Sequence, residues 1–323
     1  MKTTFRAAVA VLSALLASGA SAQAAYPTKP IKMIIPLAAA SAVDNAARIV
    51  AEKMAANMGQ AIVVENLPGA AGTIGADKLA KSAPDGYTIG GFNDSIMTMV
   101  PHVQAKVPWD ILRDFTPISL VATVEWGLVV SNETPYKSAG DLVAAAKAAP
   151  GSINYGSGGI GSPQHIAMEL FAAAAGIKLT HVPYKGATQA AIGVAGGEVP
   201  AAFQGLATVA TLAQGGKLRL IGLTTDAPMS QWPDVPTVDQ SGLSGFKFNS
   251  WFTMVAPVGT PREITARLHA EVVKALADPQ VRSKLLARGL TPRGTSPAEL
   301  DAATREQLAR YGKVLKAAGV TPQ

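Results

Sequence analysis

INYGSGGIGSPQHIAMELFAAAAGIKLTHV, residues 153–182, is the stretch that sets the fold class. Ile153–Ser157 reads as a short strand and Gly156–Ser162 as a glycine-rich loop. Pro163–Ala175 reads as a helix with Pro at its first position, and Leu179–Val182 as the next strand. A strand feeding a helix that feeds another strand is the unit of an α/β fold with mostly parallel sheets.

The same alternation extends in both directions. Towards the N-terminus, Ile31–Ile35, Ala61–Glu65 and Tyr87–Gly91 read as strands, with helices over Val43–Met58 and Gly72–Lys81 between them. Pro117–Val124 and Gly127–Val130 are two strand-like runs interrupted by Glu125-Trp126. Ser138 with Asp141 is a capping signal for a helix over Ala139–Ala148. Towards the C-terminus, Val199–Phe203, Leu218–Leu223 and Phe252–Ala256 are strands, and Thr188–Ala195 is a helix. The tail is helical: Thr260-Pro261-Arg262-Glu263 and Ser296-Pro297-Ala298-Glu299 both read as capping boxes, and the second helix should run to Ala318 and stop at Gly319. Trp126–Val130 and Asn249–Ala256 are the candidate crossings between two lobes. Residues 25–124 and 250–323 then form a discontinuous first lobe and 125–249 the second.

Residues 1–24 read as a secretory leader. Lys2 and Arg6 are its positive end, Ala7–Ala17 its apolar run, and Ala22-Gln23-Ala24 its cleavage site. Export to the periplasm is the expectation. The whole chain of 323 residues carries a net charge of +6, and loss of the leader's two cations leaves +4. Without Lys/Arg runs interleaved with aromatics, nucleic acid is not an expected partner. The absence of cysteine removes thiolate nucleophiles, Cys-zinc sites and CxxC redox chemistry. Four dispersed histidines argue against a His-rich metal centre, so no metal and no cofactor is expected.

Gly156-Ser157-Gly158-Gly159-Ile160-Gly161 matches GxGxxG between a strand and a helix, where backbone N–H groups and a helix dipole can meet an anion. A dinucleotide needs an acid about 20 residues further on. Thr180, His181 and Val182 stand there instead. The loop is therefore read as a site for another kind of anion or as a plain tight turn. No GxSxG elbow, HExxH, Walker loop or EF-hand loop occurs. Ser162 and His165 are close enough in sequence to suggest capping rather than nucleophilic catalysis. Glycine-bearing strand-to-helix loops without catalytic machinery point to a binding protein, with a hydrolase or a ligand sensor as the alternatives.

Further residues give a resemblance. Tyr26-Pro27, Val63-Val64-Glu65-Asn66, Pro68-Gly69-Ala70, Pro84-Asp85-Gly86-Tyr87-Thr88, Tyr155-Gly156-Ser157, His181-Val182-Pro183-Tyr184-Lys185-Gly186 and Ala256-Pro257-Val258-Gly259-Thr260-Pro261 occur in this order. In these the chain resembles the solute-binding receptors of tripartite tricarboxylate transporters, the Bug-type receptors. The resemblance implies a two-lobe periplasmic-binding-protein fold of type II kind with two hinge crossings. It also implies a small organic carboxylate as ligand and integral-membrane transporter subunits as partners. The protein is expected to act as a monomer without catalysis.

In such receptors two loops hold the carboxylate, here Leu37–Asp44 and Tyr155–Ser162. The resemblance gives a ligand-binding set of Leu37, Ala40, Ser41 and Asp44 in the first loop, and Asn93 and Ser95 after the third strand. Tyr155, Ser157, Gly159, Gly161, Ser162 and His165 follow in the second loop, with Tyr184, Lys185, Gln204 and Trp251 beyond it. The family's usual first loop is Pro-Phe-Ala-Pro-Gly-Gly-Ser-Thr-Asp, whereas this chain has Pro36-Leu37-Ala38-Ala39-Ala40-Ser41-Ala42-Val43-Asp44. Losing both glycines removes easy access to positive φ, and losing the paired hydroxyls removes donors. Methyl groups replace them, and Phe92, Phe203 and Trp251 are candidates for further apolar wall. A carboxylate with an apolar or aromatic body is the expected ligand.

Overall fold

The computed structural model describes residues 26–317 and Pro322. The leader at 1–24 and the helix stop at Gly319 lie outside the described residues.

Alternation of strand and helix is the organising feature. β1 (Ile31–Ile35) buries every side chain except Lys32, which pairs with Glu65 at 2.9 Å on β2 (Ile62–Asn66). Between them the Ala42–Met58 helix starts on Ser41, whose hydroxyl accepts the Asp44 N–H, and ends on Gly59 in the left-handed region (φ 68°). Its apolar stripe of Val43, Ala46, Ala47, Val50, Ala51 and Met54 recurs at three- and four-residue steps and is buried. β3 (Thr88–Phe92) and β2 both run parallel to β1. In the other lobe, β5 (Asn154–Ser157), β6 (Thr180–Pro183) and β7 (Ala201–Gly205) repeat the parallel arrangement, with β5 central. The helices Pro163–Ala175, Ala187–Ala195 and Leu206–Gln214 follow β5, β6 and β7 in turn.

Two long strands join these halves. β4 (Phe115–Ser131) is one continuous strand of 17 residues, not two runs broken at Glu125-Trp126. Both residues find partners in the extended backbone. Glu125 accepts from Thr291 Oγ1 at 3.0 Å, and the Trp126 indole N–H donates to Ser250 Oγ at 2.8 Å. β4 changes partners at this point. Phe115–Glu125 lie against β9 (Asn249–Pro257), whereas Trp126–Val130 lie against β7. β8 (Leu218–Leu223) and the short β10 (Leu290–Pro292) also pair with β4. The path of the sheet is β2-β1-β3-β9-β4-β7-β5-β6.

The expectation of a mostly parallel sheet holds only at its two ends. Around the centre β9 runs antiparallel to β3 and β4, and β4 runs antiparallel to β7 and β8. This follows from connectivity: β4 carries the chain out of the first lobe and β9 carries it back. The core is continuous through the junction, with Val124, Trp126 and Leu128 of β4 in one cluster with Ile31 and Phe203.

The C-terminal helices cover the first lobe. Arg262–Ala277 packs on Ala42–Met58, and Pro297–Ala317 packs on β4 and on the π-helical turn Ser95–Met99. Ser296 and Glu299 form the expected capping box, through Ser296 N–H to Glu299 Oε2 (2.7 Å) and Glu299 N–H to Ser296 Oγ (3.3 Å). Ser138 and Asp141 form another. Thr260 does not cap its helix. That helix begins at Arg262 with Pro261 in the cap position, and the Thr260 hydroxyl donates to the Pro257 carbonyl at 2.7 Å.

Candidate functional site

A cavity of about 500 Å³ lies where the two lobes face each other. The first lobe contributes the loop after β1, the Pro68–Gly72 turn and Asn93. The second contributes residues 158–160 and 162–164, residues 183–187 and the end of β7 at Gly205. Trp126 and Ser250, bonded to each other across the junction, form the floor between them. Five helices begin at this wall: Ala42–Met58, Thr73–Ala80, Pro163–Ala175, Ala187–Ala195 and Leu206–Gln214. The first N–H groups of a helix lack intrahelical acceptors, and the dipole adds positive potential, so such ends favour an anion. Among the described residues no lining residue is acidic, and Lys185 is the one charged residue of the lining.

The first loop is braced from behind by Asp44. Its carboxylate accepts the Ala40 N–H at 2.8 Å, the Asn66 side-chain amide at 2.9 Å and the Arg48 guanidinium at 3.0 Å. At 2% exposure it is buried and does not line the cavity. Ala40 adopts φ 59°, the conformation the lost glycines would have supplied without strain. Ala70 and Ala71, in the turn opposite, are also left-handed (φ 46° and 53°).

Behind the second loop stands an aromatic stack. Tyr155 lies on His181 with ring centroids 5.0 Å apart, and His181 lies on His165 at 4.3 Å. Burial pushes both imidazoles down to about 4, so both are neutral at pH 7. For His181 the neighbouring His165 adds to the depression and Glu169 opposes it. Neutral His165 accepts the Gly161 N–H on Nδ1 at 3.2 Å, and Ser157 Oγ accepts the Gly159 N–H at 3.1 Å. These two loop donors therefore already have partners. Ser157 Oγ also meets His181 Nε2 at 2.5 Å, but this serine is fully buried and does not line the cavity. Tyr155 donates to Glu169 at 2.5 Å, and burial together with that bond raises its pKa.

Side chains that donate to a backbone carbonyl of the facing lobe include three beside the cavity. Ser95 donates to Gly161 (2.6 Å), Thr188 to Ala39 (2.7 Å) and Asn45 to Ala207 (2.9 Å). Gly161 combines φ 79° with a Cβ position only 2.4 Å from Val103 Cγ2, so this approach requires glycine.

Of the residues singled out from the sequence, Leu37, Ser41, Asn93, Gly159, Ser162, Tyr184 and Lys185 line the cavity. Ala40, Asp44, Ser95, Tyr155, Ser157, Gly161, His165, Gln204 and Trp251 do not. Gln204 is buried behind the wall, where its amide donates to the Ala187 carbonyl at 3.2 Å and faces the Gln164 amide. Phe92 and Phe203 are fully buried in the two cores and add no wall.

Trp251 is excluded by strand parity. Neighbouring residues of β9 point to opposite faces, and Ser250 faces the cavity. The Trp251 ring packs with Ile34 and Phe92 in the first lobe's core. The indole at the wall is Trp126, one of four tryptophans that could line a pocket on sequence grounds, where Trp251 was favoured. Gln104, Gln164, Thr208 and Ser250 line it too and were not singled out from the sequence. They come from helices and strand ends whose facing depends on the packed register, and no local motif marks them.

A family model described as "Tripartite tricarboxylate transporter family receptor" matches residues 46–320. Protein BugT of Bordetella pertussis is 32% identical over 295 residues, which cover 91% of this chain and 90% of BugT. Among solved structures, periplasmic binding protein BugD superposes with a TM-score of 0.88 at 30% identity, over 92% of this chain and 100% of that one. R. palustris Rpa4515 with adipate superposes with a TM-score of 0.90 at 32% identity, over 92% of this chain and 100% of that one.

Proposed function

The chain belongs to the tripartite tricarboxylate transporter receptor family and has the two-lobe periplasmic-binding-protein fold, and from that premise we propose that it is an extracytoplasmic receptor for a small organic carboxylate. It closes on the ligand and delivers it to the integral-membrane subunits of a transporter. The observation that carries this reading is the cavity, on which five helix N-termini open with no acidic residue in the lining. Adipate in a structural neighbour supports the same ligand class. Ser162, Lys185 and free backbone N–H groups are the donors we assign to the ligand's carboxylate, with Leu37, Ser41, Asn93, Gly159 and Tyr184 beside them.

The ligand's body is apolar or aromatic. Ala38, Ala42, Val43, Ala70 and Ala71 offer methyl surface along one wall, and Trp126 adds an indole. Each CH₂ buried there is worth about 0.8 kcal/mol. The leader at 1–24 directs the protein to the periplasm. We divide the lobes at 124/125 and 249/250, beside the point where β4 changes partners. The Ser157–His181 pair lies behind the cavity wall, and Ser162, at the wall, accepts the His165 backbone N–H, which disfavours a hydrolase.

A thermal-shift screen of organic acids tests the reading. An acid at about 100 times its dissociation constant should add about 2.7 kcal/mol of stability. Turnover of a stabilising acid by substoichiometric protein would replace the receptor with an enzyme. A broad panel without any shift would remove the carboxylate.

A further inference from the structure

The wall of the cavity is not uniform, and its two halves differ in kind. On the second lobe, the helices Pro163–Ala175, Ala187–Ala195 and Leu206–Gln214 all begin at the cavity, and none has an acidic residue in its first turn. Neither of the last two has a side-chain cap. Lys185, the one charged lining residue, is on the same side. The lining cation and two uncapped helix ends are therefore gathered on this lobe.

The first lobe also presents two helix ends, but part of the donors there is already taken. Ala42–Met58 carries Asp44 in its first turn, and that carboxylate has taken the loop's Ala40 N–H. Thr73–Ala80 begins with the Gly72 and Thr73 N–H groups bonded to the Gly69 and Ala70 carbonyls. Gln104, at the same wall, is held by Ala70 and Thr73. Asn93 takes the Ile96 N–H on Oδ1, and Ser41 takes the Asp44 N–H. The rest of this wall is methyl and methylene surface from Leu37, Ala38, Ala42, Val43, Ala70 and Ala71.

We infer that the cavity is polarised, and that its ligand is a monocarboxylate whose head sits on the second lobe and whose apolar body lies on the first. This rests on the carboxylate-receptor reading above and narrows it. A second carboxylate at the far end of the ligand would be stripped of water against methyl groups with no cation to meet it, and an unpaired buried charge is strongly unfavourable. Size does not discriminate, because about 500 Å³ accommodates either kind of six-carbon acid.

Hexanoate and adipate share a six-carbon chain and differ in the second carboxylate. Calorimetry at pH 7 should show hexanoate binding at least tenfold more tightly. Adipate binding as tightly as hexanoate, or more tightly, overturns the polarised cavity and leaves the carboxylate receptor standing. Binding of neither acid, with no response from the wider panel, overturns both. The orientation has its own arm. Lys185 is exposed, so Lys185→Gln leaves the fold intact. It should weaken hexanoate three- to tenfold and reduce the salt dependence of binding. Unchanged affinity and salt dependence would place the head elsewhere and overturn the assignment.

Discussion

Ala40 carries a strain that its replacement can reveal. A left-handed alanine costs roughly 1–2 kcal/mol, while glycine costs about 0.4–1 kcal/mol through the freedom it gives the unfolded chain. Ala40→Gly should therefore stabilise the protein by about 0.5–1 kcal/mol, read as a higher urea midpoint with unchanged slope. The same change at the helical Ala47 should destabilise it by about 1 kcal/mol or more. If both changes destabilise, the strain at Ala40 is not real.

Titration at single residues gives a second test. His165 and His181 are pushed down to about 4 from 6.5, so between those values the unfolded chain binds more protons than the folded one. Their contribution is full above pH 6.5 and is lost as pH falls towards 4. Asp94 works in the opposite sense. Its carboxyl is fully buried, accepts the Trp251 N–H on Oδ1 while Oδ2 has no partner, and is pushed up to about 7 chiefly by burial. Its contribution is present at low pH and is lost as pH rises through 7. Asp94→Asn keeps an acceptor for Trp251 and should be more stable than the parent at pH 8, with the advantage gone at pH 4. It should also steepen the loss of stability below pH 6.5, because the histidines then act unopposed. Urea unfolding at pH 4, 6 and 8 reads both effects. A constant difference across that range would count against the buried Asp94 proton.

At the scale of elements, a four-residue pattern matters only in register with the helix start. Ser296 occupies the cap position of Pro297–Ala317, so Ser296→Ala should cost about 1 kcal/mol in chemical unfolding. A loss well under 0.5 kcal/mol would mean that the cap contributes nothing. Thr260 has the same sequence context, but its helix starts one residue later and its hydroxyl turns back to Pro257. This difference was invisible locally. The helices with strong apolar stripes and terminal glycines, such as Ala42–Met58 and Pro163–Ala175, were legible within one residue. β4 was misread as broken because Glu125 and Trp126 look like an interruption, and their partners Thr291 and Ser250 are far away in sequence. The direction of β9 is a property of the crossing and has no local signature. The cavity lining divides in the same way: Ser162 and Lys185 sit in local motifs, whereas the facing of Trp126 and Ser250 follows from strand parity and register.

For the molecule as a whole, closure is held by few direct bonds. Ser95→Ala removes the 2.6 Å bond to Gly161, and a neutral hydrogen bond is worth about 0.5–1.5 kcal/mol. Ligand dissociation should accelerate about two- to tenfold in stopped flow, with association nearly unchanged. An unaltered dissociation rate would separate Ser95 from closure. The topology of the sheet has another consequence, concerned with time. β9 lies between β3 and β4, yet the chain leaves the first lobe at β4 and traverses the whole second lobe before β9 is made. Until then β3 and β4 each present an unpaired edge, which is a template for aggregation. Contacts so distant in sequence also slow folding. The order in which a ribosome delivers these strands is not the order in which the sheet can close, so the first-made part of the protein must wait, unfolded or guarded, for a strand made late.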